Sequence, residues 1–141
     1  MNDVVAVTGK SRSGDICSLS FDWDRTVEPG QFVMVWAPGM EEIPLSLSSV
    51  GDVKSITFRI IGKDTEALGT KETGDRLSIR GPYGRGYKVN DRKRTLVVGG
   101  GIGIAPVLPM MADGLDTALA ARSAGELDFA LPAADKATGK T

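Results

Sequence analysis

The sequence has 141 residues, 25% of them charged and 41% hydrophobic, which is typical of a globular domain and not of a disordered or fibrous chain. Its 17 lysines and arginines nearly balance its 18 acidic residues, so the charge indicates neither nucleic acid nor an anionic membrane as a partner. Zero histidines and one cysteine, Cys17, exclude histidine catalysis, histidine metal ligation and a disulfide framework within these residues. The first ten residues predict no secretory signal, and no apolar run is long enough for a bilayer, so we expect a cytoplasmic protein.

Short strands separated by turn residues are predicted over the first 90 residues. In the segment SITFRI, Ile56, Phe58 and Ile60 share one face of a strand. One helical turn over Thr65–Leu68, with Asp64 as its N-cap, interrupts the series. Six strands at this spacing favour a small antiparallel barrel or sandwich. The strands are expected at Val4–Thr8, Ile16–Phe21, Gln31–Trp36, Pro44–Ser49, Ser55–Ile61 and Arg76–Arg80.

A different pattern follows a polar linker over residues 91–94. The segment TLVVGGGIGIAPVLPMM, residues 95–111, begins with a predicted short buried strand, Leu96–Val98. Glycines then form a turn, Ala105 is expected to be extended, and Pro106 suits the first turn of a helix. A strand, a glycine turn and a helix N-terminus can bind a phosphate through free N–H groups. With a possible second strand at Thr117–Ala121, this segment predicts the opening of a βαβ unit.

Three shorter motifs each have an ordinary structural explanation beside a functional one. In IPLSLSS, Ser46 and Ser48 share a face that could bind a ligand or simply belong to an edge strand. In RIIGKDTEALG, a helical turn after Gly62 offers either a second phosphate site or a capped connection. In GPYGRGY, Tyr83 and Tyr87 could stack on a ring system or anchor the core.

The order of the motifs is more specific than any one of them. Pro-Gly-Gln-Phe (29–32), Ile-Pro-Leu-Ser (43–46), Gly-Lys-Asp-Thr (62–65), Gly-Pro-Tyr-Gly (81–84) and Gly-Gly-Gly-Ile-Gly-Ile-Ala-Pro (99–106) occur in series. This series resembles the ferredoxin reductase superfamily and, within it, the electron-transfer subunits of dihydroorotate dehydrogenase. The resemblance covers the chain well up to about Met111. It implies a small antiparallel FAD-binding β-barrel over residues 1–90, a linker over 91–94 and a shortened NAD-binding α/β domain over 95–141.

The resemblance also implies which residues bind FAD and NAD(H); no catalytic side chain and no metal ligand is predicted in this sequence. Two runs of free amide groups, one after the strand that ends at Arg59–Ile61 and one after Val98, would bind the two diphosphates. NAD(H) would be bound by the glycine turn, through Gly100, Gly101, Gly103 and Pro106. FAD would be bound by the strand beside the flavin, the next strand and the pyrophosphate turn, through Pro44, Leu45, Ser46, Thr57, Phe58, Arg59, Gly62, Asp64 and Thr65.

This sequence departs from the family pattern in three places. Ile43 stands where many members have an arginine, which leaves Arg59 and Lys63 with the helix end to neutralise FAD. The [2Fe–2S] cluster that the family leads one to expect needs four cysteines, which this sequence does not have. The residues after the linker are also too few for a complete nucleotide-binding half. The choice between NADH and NADPH stays open, since Arg122 could meet a 2′-phosphate or lie on the surface.

The function implied by the resemblance is electron transfer between NAD(H) and a dihydroorotate dehydrogenase catalytic subunit, or a similar redox partner, through FAD. Such a chain would be an oxidoreductase subunit of a hetero-oligomer in pyrimidine biosynthesis. Hydride transfer between nicotinamide and flavin needs two aligned rings and no acid–base side chain, which agrees with the absence of histidine. Two alternatives stay open: a stand-alone NAD(P)H–flavin reductase or other ferredoxin-reductase-like subunit, and a non-catalytic flavin-binding partner module.

Overall fold

The computed structural model describes residues 2–130 and begins with a closed antiparallel barrel of six strands. Around the barrel the strands follow the order β1-β2-β5-β4-β3-β6. The predicted barrel is therefore confirmed, with β1 longer at both ends than expected and the third strand beginning at Phe32. The strands are β1 (Asn2–Ser13), β2 (Ile16–Asp22), β3 (Phe32–Trp36), β4 (Ile43–Val50), β5 (Val53–Arg59) and β6 (Arg76–Tyr83).

Alternating apolar side chains fill the barrel interior. Cys17, Leu19 and Phe21 of β2 are fully buried, and Ile56 and Phe58 of β5 meet them there. The predicted period-two pattern of SITFRI is confirmed, because Ile56 and Phe58 belong to the core cluster and Ile60 packs against it, whereas Thr57 between them lies outside that cluster and lines a surface cleft. These side chains form the core, and the clefts described below lie outside it.

A short helix, α1 (Lys63–Gly69), connects β5 to β6 and closes one part of the core through Leu68. The prediction that Asp64 is the N-cap of this helix is wrong. Gly62 holds the N-cap position, and Thr65 Oγ1 accepts hydrogen bonds from the N–H groups of Ile61 and Gly62 at 3.0 and 3.1 Å. The Asp64 carboxylate instead accepts a hydrogen bond from the Glu41 N–H at 2.9 Å, which ties α1 to the loop before β4.

Beyond the barrel, two parallel strands form a second, small sheet. A single 3₁₀ turn (Arg92–Arg94) precedes β7 (Leu96–Gly100), and β8 (Asp116–Ala120) pairs with β7 in parallel. Between them lie a 3₁₀ segment (Gly101–Val107) and helix α2 (Leu108–Ala112), so the predicted start of a βαβ unit is confirmed. The last described elements are α3 (Ala124–Leu127) and a 3₁₀ turn (Asp128–Ala130).

The proline prediction in this unit is wrong in its detail. Pro106 and Ala105 both lie inside the 3₁₀ segment, so Ala105 is not extended, and Pro109 occupies the first turn of α2 instead. The glycines at the start of the segment allow the chain to turn immediately, which moves the α-helix several residues down the chain.

The expectation that Leu96–Val98 is a buried strand is also wrong. Leu96 and Val98 are 63% and 67% exposed. The opposite face of the sheet packs on Ile104 and Leu108, and among residues 2–130 nothing covers the face that carries Leu96 and Val98. The apolar composition of these residues therefore indicates a strand correctly but not its burial.

The two sheets are in contact, because the 3₁₀ segment packs on β4 and β5 and α2 packs on β4. A hydrogen bond from Ser13 Oγ at the end of β1 to the Gly125 carbonyl, 2.9 Å, adds a second connection. Within residues 2–130, no helix has the length and apolar character needed to cross a membrane.

Candidate cofactor site

The residues predicted to lie beside the flavin occupy the ends of two neighbouring strands. Leu47 of β4 pairs with Ile56 of β5 in an antiparallel ladder, so Pro44–Ser46 and Thr57–Arg59 extend towards the same end of the barrel. The Phe58 ring lies inside the core, so Phe58 can offer an outside ligand only its backbone. Leu45 also packs against the core, whereas Pro44 is exposed and Ser46 is half-buried.

Thr57 is a buried member of a hydroxyl cluster on the outer face of the barrel. Its Oγ1 lies 2.6 Å from Ser18 Oγ and 2.8 Å from Ser48 Oγ, and Ser48 Oγ lies 2.7 Å from Ser55 Oγ. These hydroxyls satisfy one another where α2 and the 3₁₀ segment approach the barrel. Thr57 therefore contributes to the junction of the two sheets as well as to the predicted site.

The predicted pyrophosphate turn after Gly62 is well ordered by its own hydrogen bonds. Thr65 Oγ1 accepts from two backbone N–H groups and donates to the Gly62 carbonyl at 3.1 Å. The amides of Ile61 and Gly62, directly before the helix, are thus paired with a side chain. The N–H groups of the first helical residues, Lys63–Thr65, have no partner within the helix by its geometry. Thr65 holds the turn in shape, and Lys63 is the exposed cation beside it.

In the glycine turn after β7, each glycine has a different role. A Cβ on Gly99 would lie 2.7 Å from Val107 Cγ2 and 3.1 Å from Ile104 Cα, so Gly99 is required for close packing. Gly101 has a φ of +56°, which a side chain disfavours, while nothing lies within 4 Å of a Cβ built on Gly101 or Gly103. Gly100 ends the strand opposite Ala120. The space beside the backbone at Gly101 and Gly103 is therefore open.

A cleft of about 570 Å³ contains one residue from each of the two predicted sites, Arg59 and Gly101. It is lined by Arg59 from the end of β5, by Gly101 after β7, and by Ala120, Ala121, Arg122 and Glu126 at and beyond the end of β8. Ligands of open parallel sheets bind outside the carboxyl ends of the strands, which is where this cleft lies. Two arginines and accessible backbone make it suitable for an anionic ligand.

The Arg59 guanidinium is held in this cleft by two carboxylates. Its Nη1 donates to both oxygens of Asp15, at 3.0 and 2.8 Å, and its Nη2 donates to Glu126 Oε1 at 3.2 Å. Hydrogen bonds to Asp15, and then to Glu126, raise the pKa of Arg59 above its ordinary value, so this side chain stays cationic. Sequence reasoning missed Glu126, which carries no local motif; its position six residues beyond β8 is the only signal that could have indicated it.

A larger cleft of about 640 Å³ lies between the barrel and α2, and it is a weaker candidate. Seven serine and threonine hydroxyls line it, but of the residues predicted to bind a cofactor only Thr57 does, and it has no lysine or arginine. A diphosphate would have no cation to neutralise it there. The smaller cleft is therefore the better candidate for a nucleotide.

The two tyrosines of the GPYGRGY loop differ in their surroundings. The Tyr83 ring lies 5.7 Å from the Phe32 ring and 5.4 Å from the guanidinium carbon of Arg80, whose Nη1 donates to the Tyr83 hydroxyl. Tyr83 is thus an anchor of β6 and not a free stacking surface. Tyr87 is 47% exposed and keeps one face accessible.

Comparison with known proteins supports the predicted family. No protein-family model matches the sequence. The chain is 43% identical over 129 residues to the probable dihydroorotate dehydrogenase B (NAD(+)), electron transfer subunit, of Thermoplasma acidophilum, covering 92% of this chain and 51% of that protein. This chain is thus similar in sequence to curated electron-transfer subunits of dihydroorotate dehydrogenase B over most of its own length. It spans about half the length of the curated relatives it matches.

Solved structures support the same fold at lower sequence identity. The flavohemoglobin of Malassezia yamatoensis, solved with bound FAD and heme, matches 97% of this chain and 43% of its own at a TM-score of 0.77 and 19% identity. The FAD/NAD-binding domain of nitric oxide dioxygenase from Vibrio cholerae matches 94% of this chain and 70% of its own at a TM-score of 0.76 and 20% identity. The predicted combination of a barrel with an α/β unit is thus confirmed as a ferredoxin-reductase-like fold.

Proposed function

We propose that this chain binds FAD and NAD(H) and passes electrons between NAD(H) and a dihydroorotate dehydrogenase catalytic subunit, as part of pyrimidine biosynthesis. One observation carries the proposal. Arg59 of the barrel and Gly101 of the glycine turn line the same cleft. Nucleotide-to-flavin electron transfer requires two cofactors bound next to each other, and this cleft joins the two predicted binding segments. The names of the homologues support the same activity.

The donor groups present fit a flavin dinucleotide on the barrel. Arg59 and Lys63 would supply the positive charge, and the helical N–H groups after Gly62 would bind phosphate oxygens. Pro44, Leu45 and Ser46 would lie along the flavin, with Thr57 and the Phe58 backbone on the next strand. Asp64 and Thr65 would act by fixing the turn, since both side chains already bond to the backbone.

The glycine turn fits a second dinucleotide. A Cβ built on Gly101 or Gly103 would meet nothing within 4 Å, so phosphate oxygens could approach the main chain there. Gly100 and Pro106 would fix the two ends of this turn, one in β7 and the other late in the 3₁₀ segment.

The chain's own contribution is positioning and charge. When bound, a flavin accepts hydride from a reduced nicotinamide and passes the electrons onward. The protein residues would orient the two rings, neutralise the diphosphates and exclude water between them. None of these tasks needs a histidine, and the sequence has none.

The [2Fe–2S] cluster expected of the family does not fit these residues. Cys17 is the one cysteine of the sequence, and it is fully buried inside the barrel. Such a cluster needs four cysteine ligands, so the proposed electron path does not pass through one bound by these residues.

The proposal includes a hetero-oligomer with the catalytic subunit or a similar redox partner, and a cytoplasmic location.

The test is FAD titration followed by anaerobic addition of NADH, with visible absorbance and flavin fluorescence as readouts. Stoichiometric FAD that is bleached by NADH is the expected result. Replacing Arg59 with Met should weaken FAD binding roughly tenfold or more because a charge-assisted phosphate contact is lost. The matched control is Arg76→Met, which removes an exposed arginine of β6 that does not line the cleft.

Each alternative predicts a different outcome of this titration. FAD binding without bleaching by NADH would support a non-catalytic flavin-binding module. Rapid NADH oxidation with free flavin or dye acceptors, and no stimulation by a dihydroorotate dehydrogenase catalytic subunit, would support a stand-alone reductase. No flavin binding at all would overturn the proposed function.

A further inference from the structure

We propose that Glu126 is a positioning residue that competes with a cofactor phosphate for the Arg59 guanidinium. This inference rests on the proposed function, because it assumes that Arg59 meets a diphosphate. In the absence of cofactor, Glu126 would hold Arg59 in the cleft, and phosphate binding would require Glu126 to release it.

The geometry distinguishes the two carboxylates that share Arg59. Asp15 accepts two hydrogen bonds from Nη1, and its backbone carbonyl also accepts the Ile60 N–H at 2.6 Å. Asp15 therefore anchors both the side chain of Arg59 and the strand beside it. Glu126 makes one longer contact, 3.2 Å to Nη2, from an element outside the barrel. The Glu126 contact is thus the one more easily exchanged.

Burial and position place Glu126 where a phosphate would arrive. Its side chain is 17% exposed and lines the cleft together with Arg59 and Gly101, whereas Asp15 is 51% exposed and does not line it. Arg59 with its two carboxylate partners carries a net charge of about −1 at neutral pH, and Arg122, which also lines the cleft, brings the group to about zero. An arriving phosphate is repelled by the Glu126 carboxylate until that side chain moves away from the guanidinium.

Movement of Glu126 away from Arg59 would also affect the predicted NAD(H) site. Glu126 Oε2 accepts the Arg122 N–H at 3.1 Å, which fixes the turn directly after β8. If Glu126 moved away when a phosphate bound Arg59, the Arg122 N–H would lose its acceptor. The end of β8, which lines the cleft, would then be less constrained. The two cofactor sites are linked through this one carboxylate.

The test compares FAD affinity in the wild-type chain, Glu126→Gln and a matched control, by quenching of flavin fluorescence. Glutamine keeps an acceptor for the Arg122 N–H but removes the charge that competes for Arg59. The control, Glu72→Gln, makes the same charge change and breaks the Lys10–Glu72 ion pair of 2.9 Å, which does not line the cleft. We expect Glu126→Gln to tighten FAD binding about three- to tenfold at low salt, and Glu72→Gln to change it less than twofold.

Salt dependence separates competition from a merely structural effect. Because added salt screens the repulsion between Glu126 and the phosphate, the FAD affinity of the wild type should fall less with salt than that of Glu126→Gln. The two curves should converge near 1 M salt, where the Debye length is about 3 Å. Equal or weaker FAD binding in Glu126→Gln, or a difference that is independent of salt, would overturn the inference. Absence of FAD binding in all three proteins would overturn the proposed function and this inference with it.

Discussion

Replacement of Gly99 by Ala tests whether close packing in the glycine turn depends on this one residue. The added Cβ would lie 2.7 Å from Val107 Cγ2 and 3.1 Å from the Ile104 Cα. Val107 is β-branched and Ile104 contributes backbone, so neither can yield by a simple rotamer change. Overpacking of this kind costs about 1–3 kcal/mol, so we expect Gly99→Ala to lower the free energy of unfolding by that amount.

The assay is urea denaturation followed by far-ultraviolet circular dichroism, together with hydrogen exchange of the β7 and β8 amides. Gly100→Ala is the matched control, because its Cβ would make only an ordinary contact, 3.9 Å from the Ala120 carbonyl oxygen. Faster amide exchange in β7 and β8, with unchanged exchange in the barrel strands, would locate the loss of stability in the second sheet. If Gly99→Ala matched Gly100→Ala in stability and in exchange, the packing argument for this turn would be refuted.

Three further substitutions have defined expectations. Thr57→Val removes a buried hydroxyl bonded to two serines and should cost about 1–2 kcal/mol in urea denaturation; a neutral result would mean the hydroxyl cluster does not stabilise the fold. Val98→Thr should change stability by less than about 0.5 kcal/mol in the same assay, because Val98 is 67% exposed; a larger loss would show that its face is covered. The Arg80 hydrogen bond lowers the pKa of Glu42 below its ordinary 4.5, so the carboxylate's stabilisation is present above that value and is lost as pH falls below it. The Tm of Glu42→Gln should therefore decline less than that of the wild type in this acidic range, and parallel Tm curves would contradict this assignment.

The sequence predicts the barrel well because the information is local. Alternation in β5 places Ile56 and Phe58 inside, and the turn residues between strands separate the hairpins. The choice of helix cap is different. Gly62 takes the N-cap position and Thr65 Oγ1 accepts its N–H, whereas the good capping residue Asp64 accepts the Glu41 N–H, which a distant loop brings to it.

Burial of β7 could not be predicted from its composition. Leu96 and Val98 are apolar and form a strand, but burial depends on what else packs on that face, which a local pattern does not contain. Glu126 is a similar case. It sits in an ordinary helical segment of the sequence, and its role arises only when the fold brings Arg59, 67 residues earlier in the chain, to within 3.2 Å.

Under the proposed function, Arg59 would lie where the two nucleotide sites meet, because it lines the same cleft as Gly101. Its guanidinium is planar and forked, so Nη1 can stay on Asp15 while Nη2 exchanges one anion for another. A lysine in this place would present a single ammonium and could not divide these tasks between two nitrogens. The strand end at Arg59 is fixed to the barrel, whereas its second partner belongs to the segment after β8. Under the proposed function, this side chain would be a cation for FAD and, through Glu126, would be connected to the segment after β8.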